Sequence, residues 1–129
     1  MKFVLDTNAV IALMQGNARL TERMTLHEPV DFALPAIVAH ELHYGVHKSE
    51  RRAANLERVE ALRFAILEFD ADDARESGRI RAELAKSGQP IGPYDVLIAG
   101  QALSRGLTLI SNNLREFTRV EGLKVEDWQ

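Results

Sequence analysis

Cysteine is absent from all 129 residues. Its absence excludes a disulfide scaffold, a cysteine–zinc site and a thiol nucleophile. No apolar stretch approaches the ~20 residues that a membrane span needs. Met1 and Lys2 lead straight into an apolar run too short for the core of a secretion signal, and no cleavage site follows. The cytoplasm is therefore the expected compartment, with no membrane partner. An excess of positive charge is also missing, since the formal net charge is −3. That excludes a protein that coats nucleic acid through bulk charge. It leaves room for an enzyme with an acidic metal site and a local basic rim. No repeat, low-complexity tract or linker breaks the chain, and its length suits one domain over residues 1–129. At this size folding buries roughly two-thirds of the unfolded surface, so no structural metal is required.

What is present is an alternation of short apolar runs with amphipathic segments. Lys2-Phe3-Val4-Leu5 reads as a strand buried on both faces, the pattern of a parallel sheet. Asp6-Thr7 can cap a helix running to about Gln15, with Gly16 as its stop. A second helix is predicted over Ala18 to Leu26, and a short strand at Phe32-Ala33-Leu34. Pro35 should open the next helix, because its fixed φ suits the first helical position. That helix carries Ile37, Val38, Leu42 and Val46 on one side. Arg51 to Phe64 reads as an amphipathic helix with Ala54, Leu56, Val59 and Leu62 inward, and Ala65 to Phe69 as a strand. Asp72 to Lys86 is a charged helix ended by Ser87-Gly88. Pro93 opens a helix through Ser104. Leu107 to Ile110 is a second strand buried on both faces, and Leu123-Lys124-Val125 closes the sheet. The fold class is α/β, with a mainly parallel central sheet flanked by helices.

In an open parallel sheet, ligands sit beyond the carboxyl ends of the strands. Asp6 is the first residue after the first strand, and either caps a helix or points into that crevice. Glu41 borders the buried stripe of its helix, either solvated or turned toward the same place. Asp95 lies in the first turn after Pro93, among apolar and small residues. The helix dipole favours a carboxylate there by roughly 0.3–1 kcal/mol. Burying an unpaired charge costs several kcal/mol, so a metal or a cationic partner would resolve the conflict. Carboxylates converging at strand ends suit a hard cation such as Mg²⁺ or Mn²⁺, which takes oxygen ligands and can orient a phosphodiester and activate water.

Other signals lead elsewhere. His40-Glu41-Leu42-His43 fails as a zinc-protease motif, because the histidines must be four apart and position 44 is Tyr44. His43 and His47 have that spacing, which also suits a surface pair. A phosphatase of the haloacid-dehalogenase kind wants a second aspartate where Asn8 stands. A receiver-type signalling domain wants paired acids there and a phosphoacceptor on a later strand. Basic residues group at Lys48, Arg51 and Arg52, and again at Arg75, Arg79, Arg81 and Lys86. They are either solvated helix faces balanced by Glu50, Glu57, Glu76 and Glu83, or a rim for RNA phosphates. Tyr44 and Tyr94, beside the acids, either pack in the core or meet a nucleotide.

Four segments, in order, resemble the motifs of VapC toxins, ribonucleases of the PIN-domain type. They are Leu5-Asp6-Thr7-Asn8, Ala39-His40-Glu41-Leu42-His43-Tyr44-Gly45, Ile91-Gly92-Pro93-Tyr94-Asp95-Val96-Leu97-Ile98-Ala99 and Ser111-Asn112-Asn113-Leu114-Arg115-Glu116-Phe117. The ending Gly122-Leu123-Lys124-Val125-Glu126-Asp127-Trp128 is also similar to theirs. The resemblance implies a PIN fold and Mg²⁺- or Mn²⁺-dependent cleavage of RNA, usually a structured RNA such as tRNA. It implies neutralisation by a small VapB-like antitoxin, and a homodimer. An antitoxin segment would lie in a groove near the acids, over the helix surface of Ile11, Leu13 and Met14. Residue by residue it implies catalytic roles for Asp6, Glu41 and Asp95, with Asp6 and Asp95 as metal ligands. The aspartate that many PIN domains carry after the last buried strand is replaced here by Asn112 and Asn113. Either Asn112 serves through its amide oxygen, or Glu116 supplies the fourth carboxylate. Thr7, Asn8 and Tyr94 would support the site, and Lys48, Arg51, Arg52 and Arg79 would bind RNA. The missing aspartate also leaves an alternative, a catalytically weakened PIN-like module that only binds protein or RNA.

Overall fold

The computed structural model describes residues 1–129, with one five-stranded sheet at its centre. Strand β1 (Phe3–Leu5) buries all three side chains. It is followed by helices α1 (Thr7–Met14) and α2 (Ala18–Met24), a single 3₁₀ turn at Pro29–Asp31, and β2 (Phe32–Pro35). Next come α3 (Ala36–Lys48), α4 (Arg52–Glu60), β3 (Ala65–Leu67), α5 (Ala71–Lys86) and α6 (Pro93–Ser104). The chain closes with β4 (Thr108–Ile110), α7 (Leu114–Phe117) and β5 (Val125–Glu126). The sheet order is β3-β2-β1-β4-β5, and every pairing is parallel.

That order places the site. From β1 the chain steps outward through β2 and β3, then returns to the other side of β1 with β4 and β5. The reversal falls between β1 and β4, where Leu5 is in register with Ile110. Connections leave such a switch point in opposite directions and open a crevice beyond the strand ends. The next residues along the two strands, Asp6 and Ser111, flank that crevice. The walls beneath are dry, since Val4, Leu5, Leu109 and Ile110 are all buried.

Two contacts fix α6 against the rest. Gly100 sits where α5 crosses α6, and a Cβ there would come within 2.5 Å of the Ser77 Cβ. Only hydrogen fits, so the two helices meet backbone to backbone. At the far end of α6, Gln101 Nε2 donates to Asp73 Oδ2 at 3.0 Å and to the Glu68 carbonyl at 2.8 Å. Arg105 donates to the same Asp73 oxygen at 3.0 Å. Burial alone would raise the Asp73 carboxyl. Hydrogen bonds from Arg105, the Asp70 amide and Gln101 outweigh it and hold the group below its ordinary value.

The last strand is pinned by an aromatic cluster. Trp128 is 2% exposed. It stacks on His27 with ring centroids 5.5 Å apart, and meets Phe3 edge-on at 4.9 Å. The Arg23 guanidinium lies over the indole at 4.8 Å.

Several boundaries differ from the sequence reading. Pro35 ends β2 with an extended ψ of 143° and α3 begins at Ala36. The parallel register with Leu67 extends β2 by one residue. The helix expected over Arg51 to Phe64 stops at Glu60, and Arg63 takes a positive φ of 54° on the way to β3. No residue of α4 is fully buried and Ala54 is exposed, so its apolar stripe only leans on the core. Strand β3 ends at Leu67, and β5 lies at Val125–Glu126 rather than starting at Leu123. The one-turn helix α7, which carries Glu116, has no periodicity to betray it.

Candidate active site

Asp6 is both things its sequence position allowed. It is 3% exposed. Its Oδ1 accepts the Ala9 amide at 2.8 Å, which caps α1, while Oδ2 accepts the Ser111 hydroxyl at 2.5 Å. Burial pushes its carboxyl up, with smaller contributions from the charges of Glu41 and Asp127, while the Ser111 and Ala9 bonds work against the rise.

Glu41 comes from α3. Its Oε1 accepts the Thr7 hydroxyl at 2.8 Å, so the first residue of α1 orients the α3 carboxylate. Thr7, expected as a supporting residue of the site, has Glu41 as its partner. Asp95 comes from the first turn of α6, after Pro93 at the helix start. Gly92 gives it room, since a Cβ there would stand 3.0 Å from Asp95 Oδ2. Glu116 comes from α7 and is held by Asn113, whose Nδ2 donates to Oε2 at 3.1 Å.

These four carboxylates feel one another. Burial pushes Asp95 up to about 7, helped by a hydrogen bond with Glu116 and by the charges of Glu116, Asp6 and Glu41. No lysine, arginine or histidine forms a salt bridge with any of the four. The donor set is therefore all oxygen, negatively charged and uncompensated by the protein. It fits a hard divalent cation.

Other expected site residues lie apart from this cluster or at its lip. Asn112 is exposed and makes no side-chain hydrogen bond, so the amide that engages the acids is that of Asn113. Asn8 is exposed on α1. Tyr94 is 45% exposed at the lip of the site, its ring 5.5 Å from that of His40. Arg79 is engaged by Glu76 and Glu83 along α5, which is the solvated-face arrangement. Arg52 donates to the His47 carbonyl at the end of α3 at 3.1 Å, and Arg51 is exposed beside it. The Lys48 ammonium lies 5.7 Å from the Tyr44 ring centroid.

Sequence reasoning gave no role to Ser111 or Asp127. Ser111 also accepts the Asn113 amide at 2.9 Å, and its own amide donates to the Glu126 carbonyl at 3.0 Å. It thus ties β4, β5 and the loop before α7 to Asp6. Its position after a buried strand, equivalent to that of Asp6 after β1, is the signal that would have found it.

Against known proteins, the PIN domain family model matches residues 3–123. The tRNA(fMet)-specific endonuclease VapC of Shigella flexneri is 44% identical over 131 residues, covering 99% of this chain and 98% of that protein. Among solved structures, DNA-bound VapBC from Salmonella typhimurium superposes with a TM-score of 0.95 at 43% identity, over 100% of this chain and 99% of that one. VapBC2 from Rickettsia felis, bound to a DNA fragment from its promoter, gives a TM-score of 0.92 at 31% identity, covering 100% of both chains.

Proposed function

This chain belongs to the PIN-domain family, among its VapC ribonucleases, and on that premise we propose that it is a metal-dependent endoribonuclease, the toxin half of a toxin–antitoxin pair. The observation that carries the chemistry is that Glu116, Asp6 and Glu41 all bear on Asp95 while no cationic side chain forms a salt bridge with any of the four. Asp6 and Asp95 would hold Mg²⁺ or Mn²⁺, with Glu41 and Glu116 completing the shell. When bound, such a cation supplies a Lewis acid for the phosphodiester and lowers the pKa of water.

The protein's own share is positioning. Ser111 and the Ala9 amide hold Asp6 in one rotamer with both oxygens engaged. Thr7 fixes Glu41, and Asn113 fixes Glu116. The buried strand ends exclude water from beneath the acids, so the field at the crevice mouth is strong. Glu116 stands beside Asp95, which supports giving it the role of the carboxylate that Asn112 lacks and speaks against a catalytically weakened binding module.

Partners follow the same premise. A groove between α1, α3 and α4, lined by Ile11, Met14, Leu42, Val46 and Val59, reaches Glu41 at one end. It offers an antitoxin segment an apolar seat beside Glu41; of the three residues expected to form it, Ile11 and Met14 line the groove while Leu13 packs against the core. A VapB-like antitoxin, a homodimer and a structured RNA such as tRNA are the partners of this reading. No helix is long and apolar enough to cross a membrane, and the proposed compartment is the cytoplasm.

The test is cleavage of a mixed RNA pool by the purified protein, with Mg²⁺ or Mn²⁺ and with EDTA. Cleavage should need the metal and vanish in Asp95→Asn. Undiminished cleavage in EDTA, with Asp95→Asn preparations clean, would refute the metal reading.

A further inference from the structure

The chemistry so far makes no use of the tail after β5 or of α2. Strand β5 is only two residues long and lies at the edge of the sheet, so its own pairing holds it weakly. Glu126, its second residue, is gripped instead by side chains. Its Oε1 accepts the Trp128 indole N–H at 3.1 Å and the Arg23 guanidinium at 3.4 Å. Its carbonyl accepts the Ser111 amide at 3.0 Å. At Ser111 the line of hydrogen bonds divides. The hydroxyl donates to Asp6 Oδ2 and accepts the Asn113 amide, and the Asn113 side chain donates to Glu116. Two of the four carboxylates thus end a line that begins at Trp128 and Arg23. Trp128 is fixed by Phe3, Phe32 and His27. Arg23 lies over the indole, yet its side chain is 49% exposed. An ion pair so exposed adds little to stability, so folding does not account for it.

We infer that Trp128 and Arg23 are positioning residues of the nuclease site: by clamping Glu126 they set Ser111, and through it the rotamer of Asp6 and the loop that presents Glu116. This role rests on the metal-dependent reading above and adds α2 and the tail to the machinery. Groups behind the metal ligands govern affinity because they orient them. The tolerance is tight, about 0.5 Å for a working constellation. Like charges at close quarters also push one another apart when no metal is bound. Any slack behind Asp6 is therefore taken up by spreading of the acids. Ser111 has one hydroxyl proton and gives it to Asp6. A shift of Glu126 moves the Ser111 amide with it, and the hydroxyl leaves Oδ2. Asp6 then keeps only the Ala9 amide, which holds its other oxygen.

Mn²⁺ binding to the purified protein, counted by EPR of the free ion with no RNA present, tests the clamp. Ser111→Ala cuts the line next to Asp6 and should weaken binding roughly tenfold or more. Trp128→Phe keeps an aromatic ring and loses the N–H. Arg23→Ala removes the exposed end of the clamp and leaves the core untouched, so it folds even where Trp128→Phe does not. Each should weaken Mn²⁺ binding about three- to tenfold, being further from the metal than Ser111. Arg23→Lys, which keeps a cation over the indole, should recover most of the loss. Cleavage by these variants should return when Mn²⁺ is raised, with KM for RNA unchanged. Emission from Trp128, the only tryptophan of the chain, reads whether the tail stays docked. A lowered Tm in Trp128→Phe with Mn²⁺ affinity unchanged in both variants makes the clamp a piece of the core and overturns the assignment. So does a defect of Ser111→Ala that neither Trp128→Phe nor Arg23→Ala shares. A raised KM for RNA with normal Mn²⁺ affinity moves these residues to the substrate and also overturns it. Wild type that takes up no Mn²⁺ overturns the metal reading itself, and the clamp with it.

Discussion

Replacing Asp95 by asparagine should destroy cleavage and yet stabilise the metal-free protein, with an advantage that depends on pH. Asp95 titrates near 7 rather than at its ordinary 3.8, because burial, Glu116, Asp6 and Glu41 all oppose its charge. At about 1.36 kcal/mol per pKa unit, that displacement corresponds to about 4 kcal/mol if Asp95 alone carried it. Asp95 is coupled to its neighbours and the site relaxes, so about 2 kcal/mol is the working figure. A folded-state pKa above the unfolded one gives a stability contribution that is whole below pH ~4 and is lost as pH rises through ~7. Asparagine mimics the protonated acid at every pH, including its ability to donate to Glu116. The variant should therefore match wild type near pH 4, pull ahead between pH 4 and 7, and hold a constant lead above that. For a chain of this size the lead is roughly 6–10 °C in Tm at pH 8 in EDTA. Saturating Mg²⁺ should raise the wild type more than the variant, because a ligand charge is gone. Thermal melts across pH, with EDTA and with Mg²⁺, read all of this. A variant that melts below wild type at pH 8 in EDTA, or a gap that does not change with pH, would refute the account of the acidic ring.

Three further outcomes follow from geometry. Ser111→Ala removes the donor to buried Asp6 Oδ2 and should cost about 1–3 kcal/mol in urea unfolding; Ser111→Thr, which keeps the hydroxyl, should recover most of it. Arg105→Ala leaves the fully buried Asp73 carboxylate with Gln101 and the Asp70 amide as its only partners, and should cost about 3 kcal/mol at pH 7. Because the Asp73 pKa is depressed, that stabilisation is present above the unfolded value and fades as pH falls below ~4, so the two proteins should converge in acid. Gly100→Ala drives a methyl into the Ser77 backbone and should lower Tm by several degrees, about 2 kcal/mol or more, whatever metal is present.

Much of this architecture is written in local pattern. Two apolar runs at Phe3–Leu5 and Leu107–Ile110, too short and too uniform for a half-exposed strand, gave the two central strands and with them the crevice. Asp6 and Asp95 could be singled out because each is a charge in an apolar neighbourhood. Glu41 could not be told from any helix-border glutamate, since its partner Thr7 is 34 residues away. Ser111 lay hidden for the same reason, with 105 residues between it and Asp6. The order of strands brings these groups together, and no window of the sequence contains that order. Pro35 went the other way: its local preference for a helix start yielded to strand pairing with Leu67. Arg79 shows that composition alone cannot sort a phosphate-binding cation from one already engaged by Glu76 and Glu83.

The clasp around Trp128 bears on when this molecule becomes dangerous. Phe3 meets Trp128, and Asp6 is held by Ser111, which is in turn held by the Glu126 carbonyl. The first strand of this sheet is thus completed by its last. No nascent fragment ending before β4 has an inner neighbour for both edges of β1, and none ending before β5 secures the serine that sets Asp6. A half-translated chain is therefore not a half-active nuclease. The topology postpones assembly of the acidic cluster until β4 and β5 have been made, with long-range pairing that also makes folding slow.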